Sequence, residues 1–588
     1  MISILKFFFI YNFYIFVVLI AGFIFKRFFW TSKSDQLTLG EIGIFGFLFS
    51  YAIVTIFHFL LPINITFSLT FYLICLIFFL FEFKNFKNFI ILNINKNIIL
   101  LYLLGFLTAV TSNLHDDWQI YQLPIINYMQ QFKIIFGLIS LNDYYGQGHS
   151  FYELMSLFQL PFLKNTSVYL LPVIFVVFSI SHILNEIKKI DNDDKLKLYL
   201  FFVIALIFLR FSRSKEFGTD LPVICLLFII QIYVLNFIKK PNTELIVKSS
   251  ILFIFAVFLK IYAALAIFYS LFLFNKKNIK YIYEIFKLNK LNFFILLIIL
   301  SSLSKNIITS GCFFYQLSNM CLEKNIASWS VGNKVANERH IFTSASSKGW
   351  KAYVRTEKPN RFVSASEYLE ISKLNYLKYL SNDAIFDRLL ITIFICLIFI
   401  VFHIKNFTKE KNNDYLYSNK ILLISSLIVV IVWILKIPNV RYGGYAYVPF
   451  FLFMFVFNYY NLKKLNIKFI KIFISLCLIF FTTKNLNRIY DEVTENKPLN
   501  YPFANFKNIE YKTIDLNNFK INIPNGQLWC GNIPMLCSSE TYLVKKIIKK
   551  NSYIFLLSEE KDLVKFVNRT SYYDTIEEND VNQEDFKQ

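Results

Sequence analysis

The sequence predicts an all-α polytopic membrane protein with about 14 transmembrane helices, long extracytoplasmic loops and a small α/β domain after the last span. Three observations predict this fold class. Of the 588 residues, 56% are hydrophobic and only 17% are charged, whereas soluble domains carry about 25% charged residues. Apolar runs long enough to cross the roughly 30 Å hydrocarbon layer recur along most of the chain. Lys and Arg fall mainly in every second connection between these runs.

The apolar runs define fourteen predicted spans, and most of them are separated by short polar connections. The region 247–275 leaves two alternatives open, either one long helix or two short helices that break near Lys260. Short runs such as 291–303 must extend or tilt in order to cross. The predicted spans are residues 2–25, 38–60, 65–82, 97–112, 166–186, 196–211, 219–238, 247–260, 261–275, 291–303, 386–404, 420–436, 444–460 and 468–482.

The distribution of positive charge predicts the orientation of the chain. Connections of one parity hold most of the Lys and Arg residues, beginning with Lys26 and Arg27, whereas the short connections of the other parity hold mainly Arg213, Lys215 and Arg441. The positive-inside rule then places both termini outside. The formal net charge of +22 is explained by the inner connections. Nucleic-acid binding is not expected, because no basic segment has a folded recognition module around it.

In this orientation the long polar segments all lie outside, so we expect the working surface to be extracytoplasmic. The frequent use of Phe, Ile, Asn and Lys is typical of AT-rich bacterial coding, and we therefore expect the inner (cytoplasmic) membrane of a bacterium. The predicted regions are N-terminal helices 1–96, a core 97–303 with an acidic outer loop 113–165, an outer loop 304–385, C-terminal helices 386–482 and an outer domain 483–588.

The eight cysteines divide between the predicted spans and the predicted outer segments. Those inside spans behave as small hydrophobic residues, and they are Cys75, Cys225, Cys396 and Cys477. The outer ones are Cys312, Cys321, Cys530 and Cys537. Close spacing in an oxidising compartment favours the pairs Cys312–Cys321 and Cys530–Cys537, although four cysteines allow three connectivities and four free thiols are the alternative.

Two adjacent carboxylates follow the fourth span, in the sequence His115-Asp116-Asp117. At the edge of the hydrocarbon layer a carboxylate is poorly solvated, and a neighbouring like charge raises one pKa further. This setting suits a general base or a cation site. The alternative is that one Asp caps the next helix. Asp117 adjoins that helix and is the more plausible cap, which favours Asp116 as the base. His149 closes the polar stretch beyond.

Two short outer turns carry further candidate residues. In the first, Arg213 has a position suited to a phosphate and Asp220 one suited to the carboxylate site. The alternatives are a snorkelling Arg and a helix that starts at Asp220 before a Pro. In the second, Arg441-Tyr442 stands among aromatic residues and Gly. An Arg there can bind a lipid phosphate bidentately, or it can belong to an interfacial aromatic belt.

The outer segment from Ser310 to Trp350 is rich in Ser, Asn and aromatic residues, including Trp329 and His340. These residue types suit contacts with sugars or lipid head groups. The alternative is a loop that only covers the membrane domain.

These features together resemble the GT-C superfamily of membrane glycosyltransferases, which place an acidic motif in an extracytoplasmic loop. The chain is most similar to a bacterial branch with His-Asp-Asp, Asn-Asp, Ser-Gly-Cys and Arg-Tyr patterns and a Cys-containing tail. Here these stand at 115–117, 142–143, 310–312 and 441–442, so the resemblance covers roughly 97–537. One departure is that superfamily members commonly carry the acidic loop after the first helix, whereas here it follows the fourth span.

The resemblance implies transfer of a hexosyl or pentosyl group from a polyprenyl-phosphate donor to an extracytoplasmic glycan, lipid or protein acceptor. Asp116 or Asp117 would then act on the acceptor hydroxyl. Substrate would be bound by His115, His149, Arg213, Asp220, Arg441 and Tyr442. A divalent cation on Asp116, Asp117 and Asp220 is compatible with this chemistry but not required.

Two other functions remain open. A polysaccharide polymerase or ligase would use the same donor chemistry, but with basic residues in its outer loop. A transporter or lipid flippase needs charged groups near the middle of the membrane and often has repeated halves. The sequence offers Glu41 and Lys260 near span ends but no visible repeat.

Overall fold

A computed structural model describes most of the chain, and α-helices dominate it. The described residues are 2–30, 37–111, 117–147, 150–160, 163, 165–191, 194–213, 218–274, 278–315, 317–357, 363–373, 376–381, 384–409, 416–496, 501–504, 506, 508–526 and 529–573. The α-helices are α1 (Ile2–Phe29), α2 (Leu39–Phe57), α3 (Ile65–Asn93), α4 (Lys96–Ala109), α5 (Leu123–Gln131), α6 (Ser150–Ser156), α7 (Leu170–Lys189), α8 (Lys195–Arg210), α9 (Asp220–Lys239), α10 (Thr243–Leu259), α11 (Ile279–Phe286), α12 (Asn289–Ser310), α13 (Gly332–Ser347), α14 (Trp350–Glu357), α15 (Ala365–Ser372), α16 (Tyr376–Ser381), α17 (Ala384–Val401), α18 (Leu416–Lys436), α19 (Tyr445–Tyr459), α20 (Ile467–Asp491) and α21 (Glu560–Tyr573).

A helix occupies each of the fourteen predicted spans. Within the described residues, eight helices are long and apolar enough, by length and composition, to cross a membrane. Helices of this kind mark the chain as a membrane protein. Several helices run beyond the predicted ends, most of all α3, which reaches Asn93, and α20, which reaches Asp491. In α3 the apolar run stops but aromatic packing continues, because Phe86 and Phe89 both contact Phe23 of α1.

The region 247–275 contains two helices that break at Lys260, so the second of the two alternatives is correct. Helix α10 ends at Leu259, and Lys260 has an extended backbone. A 3₁₀-helix of 14 residues, Ile261–Phe274, follows and packs against α10. A 3₁₀-helix rises about 2 Å per residue, so this segment is about 28 Å long and nearly matches the hydrocarbon thickness.

The first two helices cross at a point where only small residues fit. A Cβ atom on Gly46 would lie 2.0 Å from the carbonyl oxygen of Val18, and one on Gly22 would lie 1.9 Å from that of Ile42. Helices in membranes commonly use small residues to bring their backbones together. This contact fixes α2 against α1, and α2 also packs on α7 in the centre of the bundle.

One ion pair is buried inside the bundle, at the end where α2 and α10 begin. The Nζ of Lys248 lies 2.9 Å from Oε1 of Glu41, and both side chains are buried. The hydroxyl of Tyr233 donates to the same carboxylate oxygen at 2.7 Å. A buried pair keeps its charges only when such partners satisfy them, and this one lies at the opposite end of α10 from Lys260.

The opposite end of the bundle is covered by the long polar segments, and we call it the loop face. It comprises the described parts of 117–168, 311–381 and 501–573 together with the helix ends at Asp220, Lys260 and Arg441. The C-terminal part has the mixed α/β content predicted for it, with α21 and two antiparallel hairpins. The strands are β3 (Tyr511–Leu516) with β4 (Phe519–Pro524) and β5 (Lys546–Lys550) with β6 (Tyr553–Leu557), while β1 (Phe407–Lys409) and β2 (Tyr460–Leu462) pair elsewhere.

The C-terminal part does not stand apart from the first loop. The backbone of Phe136 exchanges two hydrogen bonds of 2.9 Å with β6, one to Ile554 and one from Leu556. The ring of Phe136 also stacks on Phe555. The first and last segments of the loop face are therefore joined by backbone hydrogen bonds of the kind that pair neighbouring strands.

Both predicted disulfides are present in the loop face. Their Cα atoms are 3.9 Å apart in Cys312–Cys321 and 6.0 Å apart in Cys530–Cys537. The four cysteines of the predicted spans are free and buried, as expected for small apolar side chains.

Candidate functional site

A cavity of about 270 Å³ lies where the bundle meets the loop face. Its charged lining residues come from five separate segments, and most of the remainder are aromatic or carry small polar groups. The charged residues are Asp117, Asp220, Lys260, Arg339 and Arg441. The aromatic residues are Tyr121, Tyr144, Phe258, Tyr262, Phe314, Tyr315, Phe342 and Tyr442. We call this space the charged cavity.

An ion pair between Asp220 and Arg441 forms one wall. The Nε and Nη2 atoms of Arg441 donate to Oδ2 of Asp220 at 3.0 and 2.8 Å. Asp220 is the first residue of α9, where the helix dipole favours a negative charge. The Nζ of Lys260 lies 3.9 Å from the other carboxylate oxygen. Asp220 is 5% exposed, so it is a buried carboxylate held between two cations.

Arg441 is positioned by an irregular turn before α19. The side chain of Asn439 accepts a hydrogen bond from the backbone nitrogen of Arg441 at 3.0 Å. Gly443 has a φ of +90°, which glycine adopts without steric cost. This turn directs the guanidinium toward α9 instead of continuing the helix.

Asp117 lies close to the same guanidinium but is more exposed than Asp220. Its Oδ2 is 3.9 Å from Nη2 of Arg441, and it accepts a long hydrogen bond of 3.5 Å from the hydroxyl of Tyr121. The side chain is 23% exposed. Asp117 precedes a short π-helix, Trp118–Gln122, yet its side chain makes no capping hydrogen bond there. The capping role considered for Asp117 is therefore absent.

Aromatic rings and one buried cation form the wall opposite the ion pair. Tyr121 stacks on Tyr144 with a ring-centroid distance of 5.7 Å. The guanidinium of Arg339 lies over Tyr144 at 4.0 Å and pairs with Asp143 at 3.1 Å. Burial alone would lower the pKa of Arg339, but the Asp143 carboxylate together with Tyr144 and Tyr315 outweighs it and raises the pKa, so Arg339 stays charged. The charged guanidinium therefore packs on the ring of Tyr144, which in turn stacks on Tyr121.

The phenol groups of this wall remain protonated near neutral pH. Burial raises the pKa of Tyr121 well above its ordinary value, and the negative charges of Asp117 and Asp220 raise it further. Burial and the Asp143 carboxylate raise the pKa of Tyr315 in the same way. The hydroxyl groups can therefore donate hydrogen bonds throughout the physiological range.

The structure brings four of the predicted site residues together. Asp117, Asp220, Arg441 and Tyr442 all line the charged cavity. The side chain of Arg213 is exposed and does not line it. The candidates His115, Asp116 and His149 lie outside the described residues.

Sequence reasoning did not assign the other charged lining residues to the site. Lys260 carried a signal, because it is a lone charge between two apolar runs. No sequence pattern marked Arg339 as a site residue, although its neighbour His340 was noted. Trp329 and Trp350 do not line the cavity. Trp350 is fully buried in a cluster of its own, and Trp329 packs on Phe136.

The described residues do not fit a divalent cation. Among them, no group of three or more His, Cys, Asp or Glu side chains is placed to hold a metal ion. The Nη2 of Arg441 lies 2.8 Å from Asp220 and 3.9 Å from Asp117. A guanidinium thus takes the position near both carboxylates that a bound cation would need.

Comparison with known proteins identifies a family but not an activity. No curated protein and no solved structure matches the chain. One family model matches residues 1–448, which include every charged residue of the cavity and end within α19. Because this match covers well over half of the sequence, the chain belongs to the family described as "Domain of unknown function (DUF8201)".

Proposed function

We propose that this chain is a membrane glycosyltransferase of the GT-C type. It transfers a sugar from a polyprenyl-phosphate donor to a glycan, lipid or protein acceptor on the extracytoplasmic side of a bacterial inner membrane. The observation that carries the proposal is the charged cavity at the edge of the bundle. There a partly exposed carboxylate, Asp117, lies 3.9 Å from a guanidinium that a second carboxylate holds in place.

The arrangement matches the two charge changes of a direct displacement. The acceptor oxygen forms a bond to the anomeric carbon while the bond from that carbon to the phosphate oxygen breaks. Asp117 takes the proton of the acceptor hydroxyl, as a general base does. The phosphate leaves with the bonding electron pair, and Arg441 and Lys260 stabilise its growing negative charge. Fixed cations near a developing anion are an effective form of transition-state stabilisation.

The two carboxylates differ in burial and in their contact with Arg441, which supports different roles. Asp220 accepts two hydrogen bonds from Arg441 on Oδ2 and lies 3.9 Å from Lys260 on Oδ1, so its charge is balanced by two cations. The Asp117 side chain is 23% exposed, against 5% for Asp220, so an acceptor hydroxyl can reach it from the cavity. We therefore assign Asp117 as the base and Asp220 as the residue that positions Arg441.

The remaining lining fits a lipid-linked sugar. Tyr121, Tyr144 and Tyr262 offer flat ring surfaces and hydroxyl groups, which suit the two faces and the hydroxyl groups of a sugar ring. Val257 and Ile261 give an apolar border beside Lys260. A lipid phosphate at Lys260 would place its first isoprene units against this border.

The test is turnover of defined donors by the full chain in lipid nanodiscs. The probes are polyprenyl-phosphate mannose, glucose, galactose and arabinose, presented with a membrane extract as the source of acceptor. We expect release of polyprenyl phosphate from at least one donor, and Asp117→Asn should lower it about 10²- to 10⁴-fold. EDTA should not change turnover, because the guanidinium of Arg441 takes the position near both carboxylates that a metal cation would need.

The matched control is Asp515→Asn. Asp515 is an exposed carboxylate of the loop face in β3, outside the charged cavity. This variant should keep wild-type turnover. The proposal fails if no donor is consumed, or if Asp117→Asn behaves like the control.

A further inference from the structure

A second cavity of the loop face, of about 440 Å³, is lined by neutral amide side chains. Among the residues that the structure describes, none that lines it is charged. Its volume is within the roughly 300–1,000 Å³ of small-molecule sites. We call it the amide cleft, and its amides are Asn127, Gln130, Gln131, Gln159, Asn165 and Asn532.

Helix α5 connects the amide cleft with the charged cavity. Asp117 and Tyr121 stand just before α5, and the helix itself carries Asn127, Gln130 and Gln131. Thirteen residues separate Asp117 from Gln130 in the sequence, which corresponds to about 20 Å of helix. The opposite wall is the disulfide-closed segment that carries Asn532. It is attached by a hydrogen bond of 2.9 Å from Gly531 to Gln119.

Five of the six amides are held by hydrogen bonds, either to one another or to the backbone. The Nε2 of Gln130 donates to Oδ1 of Asn165 at 2.7 Å, and Nδ2 of Asn165 donates to Oδ1 of Asn127 at 2.7 Å. The Nε2 of Gln159 donates to the carbonyl of Ile63. The Oε1 of Gln131 accepts from the backbone of Met535 at 3.3 Å. Fixed donors and acceptors select a ligand by geometry more strongly than mobile ones do.

Each of these amides uses only part of its hydrogen-bonding capacity. Among the described residues, no partner is found for Nδ2 of Asn127, Oε1 of Gln130, Nε2 of Gln131 or Oε1 of Gln159. None of these four atoms is fully buried. An amide offers both donors and acceptors, so the cleft presents two unused donors and two unused acceptors on a neutral surface.

This chemistry selects one class of ligand. A charged ligand would lose its hydration without meeting an opposite charge. A lipid chain would leave the amides unpaired, at a cost for each group. The hydroxyl groups of a sugar both donate and accept, as the amides do, and Phe506 adds a ring for an apolar sugar face. We propose that the amide cleft binds a neutral glycan.

The position of the cleft defines what part of a glycan it holds. Because it lies a helix length from Asp117, it binds a distal part of an extended chain and not the reacting sugar. That it serves as an acceptor subsite rests on the proposed glycosyltransferase function. The binding of a glycan in the amide cleft does not depend on that function.

The experiment is binding of the full chain in nanodiscs to an array of neutral oligosaccharides. The probes are glucan, galactan, mannan and chitin fragments of four or more sugars, with polygalacturonate fragments as charged counterparts. We expect the wild type to bind at least one neutral series and not polygalacturonate. The double variant Gln131→Ala/Asn532→Ala should bind about tenfold more weakly, which is the loss expected for two hydrogen bonds.

Two control variants separate this proposal from the proposed function. Asn325→Ala changes an exposed amide of the loop face outside the cleft and should bind like the wild type. Asp117→Asn should also bind normally although it blocks transfer. Amide-dependent binding without transfer by any variant would reject the enzyme and keep the glycan site. Absence of neutral-glycan binding, equal binding of polygalacturonate, or normal binding by the double variant would overturn the site.

Discussion

The charged cavity and the amide cleft share one face and are joined by the segment from Asp117 to the end of α5, yet they use opposite chemistry. The charged cavity holds two carboxylates and three cations around a wall of phenols. The described lining of the amide cleft is neutral throughout. Fixed charges act most strongly on a group whose charge changes during reaction. Neutral amides recognise a group that stays neutral. Under the two proposals, reaction at Asp117 and recognition by the amides are separated along the segment from Asp117 to Gln131.

Among the variants that test this contrast, those at Arg441 are expected to have the largest effect on turnover. Arg441→Gln removes the positive charge nearest to both carboxylates, and turnover should fall about 10²- to 10³-fold, as for loss of an oxyanion donor. Arg441→Lys should recover only part of this, because Lys lacks the planar fork. Donor turnover and array binding are measured on the same nanodiscs. Glycan binding that fell together with turnover would show that the two cavities are not separate.

A smaller effect, on stability, is expected at Asp220. Asp220→Asn leaves Arg441 and Lys260 facing each other without their shared carboxylate. The loss of hydrogen bonds to a buried charged group should cost about 1.5–3 kcal/mol. Thermal unfolding in detergent measures it. The double variant Asp220→Asn/Arg441→Gln should recover part of the loss, since partners in contact are not additive. An unchanged melting temperature in Asp220→Asn would contradict the role of the pair.

The smallest effect is expected at Tyr121, whose hydrogen bond to Asp117 is long. Tyr121→Phe should lower turnover by less than about threefold. Its clearer signature is alkaline stability. Because the folded state raises the pKa of Tyr121, its contribution is complete below the ordinary tyrosine pKa of about 10 and is lost as the pH rises beyond it. Melting temperatures from pH 8 to 11 should therefore fall less steeply in Tyr121→Phe. An equal slope would contradict the burial of this phenol.

Much of the fold could be predicted because its signals are local. Apolar runs located a helix at each of the fourteen spans, and proximity identified both disulfides. The break at Lys260 could not be located firmly, because neither Pro nor Gly stands there. The tail of α3 depends on ring contacts with Phe23 from another helix. Such contacts leave no periodic pattern in the sequence of α3 alone.

The site was predicted where its charges are rare and missed where its residues are ordinary. Asp117, Asp220 and Arg441 stood out because charges are sparse at span ends. Arg339 lies in a polar loop where one more Arg carries no information, and only folding brings it onto Tyr144. The amides of the cleft come from residues as far apart as Asn127 and Asn532. Asn and Gln are common in such loops, so only tertiary structure reveals the cluster.

The pairing of Phe136 with β6 has a consequence for the order in which the protein matures. Ribosomes synthesise the first loop long before the C-terminal strands exist. Until β6 arrives, the backbone groups of Phe136 lack their partners, and the wall that carries Asn532 is absent. Helix insertion can thus be complete while the loop face is still unfinished. A nascent chain stalled after α20 would hold all the helices of the bundle, but it would lack both the strand that pairs with Phe136 and the wall of the amide cleft that carries Asn532.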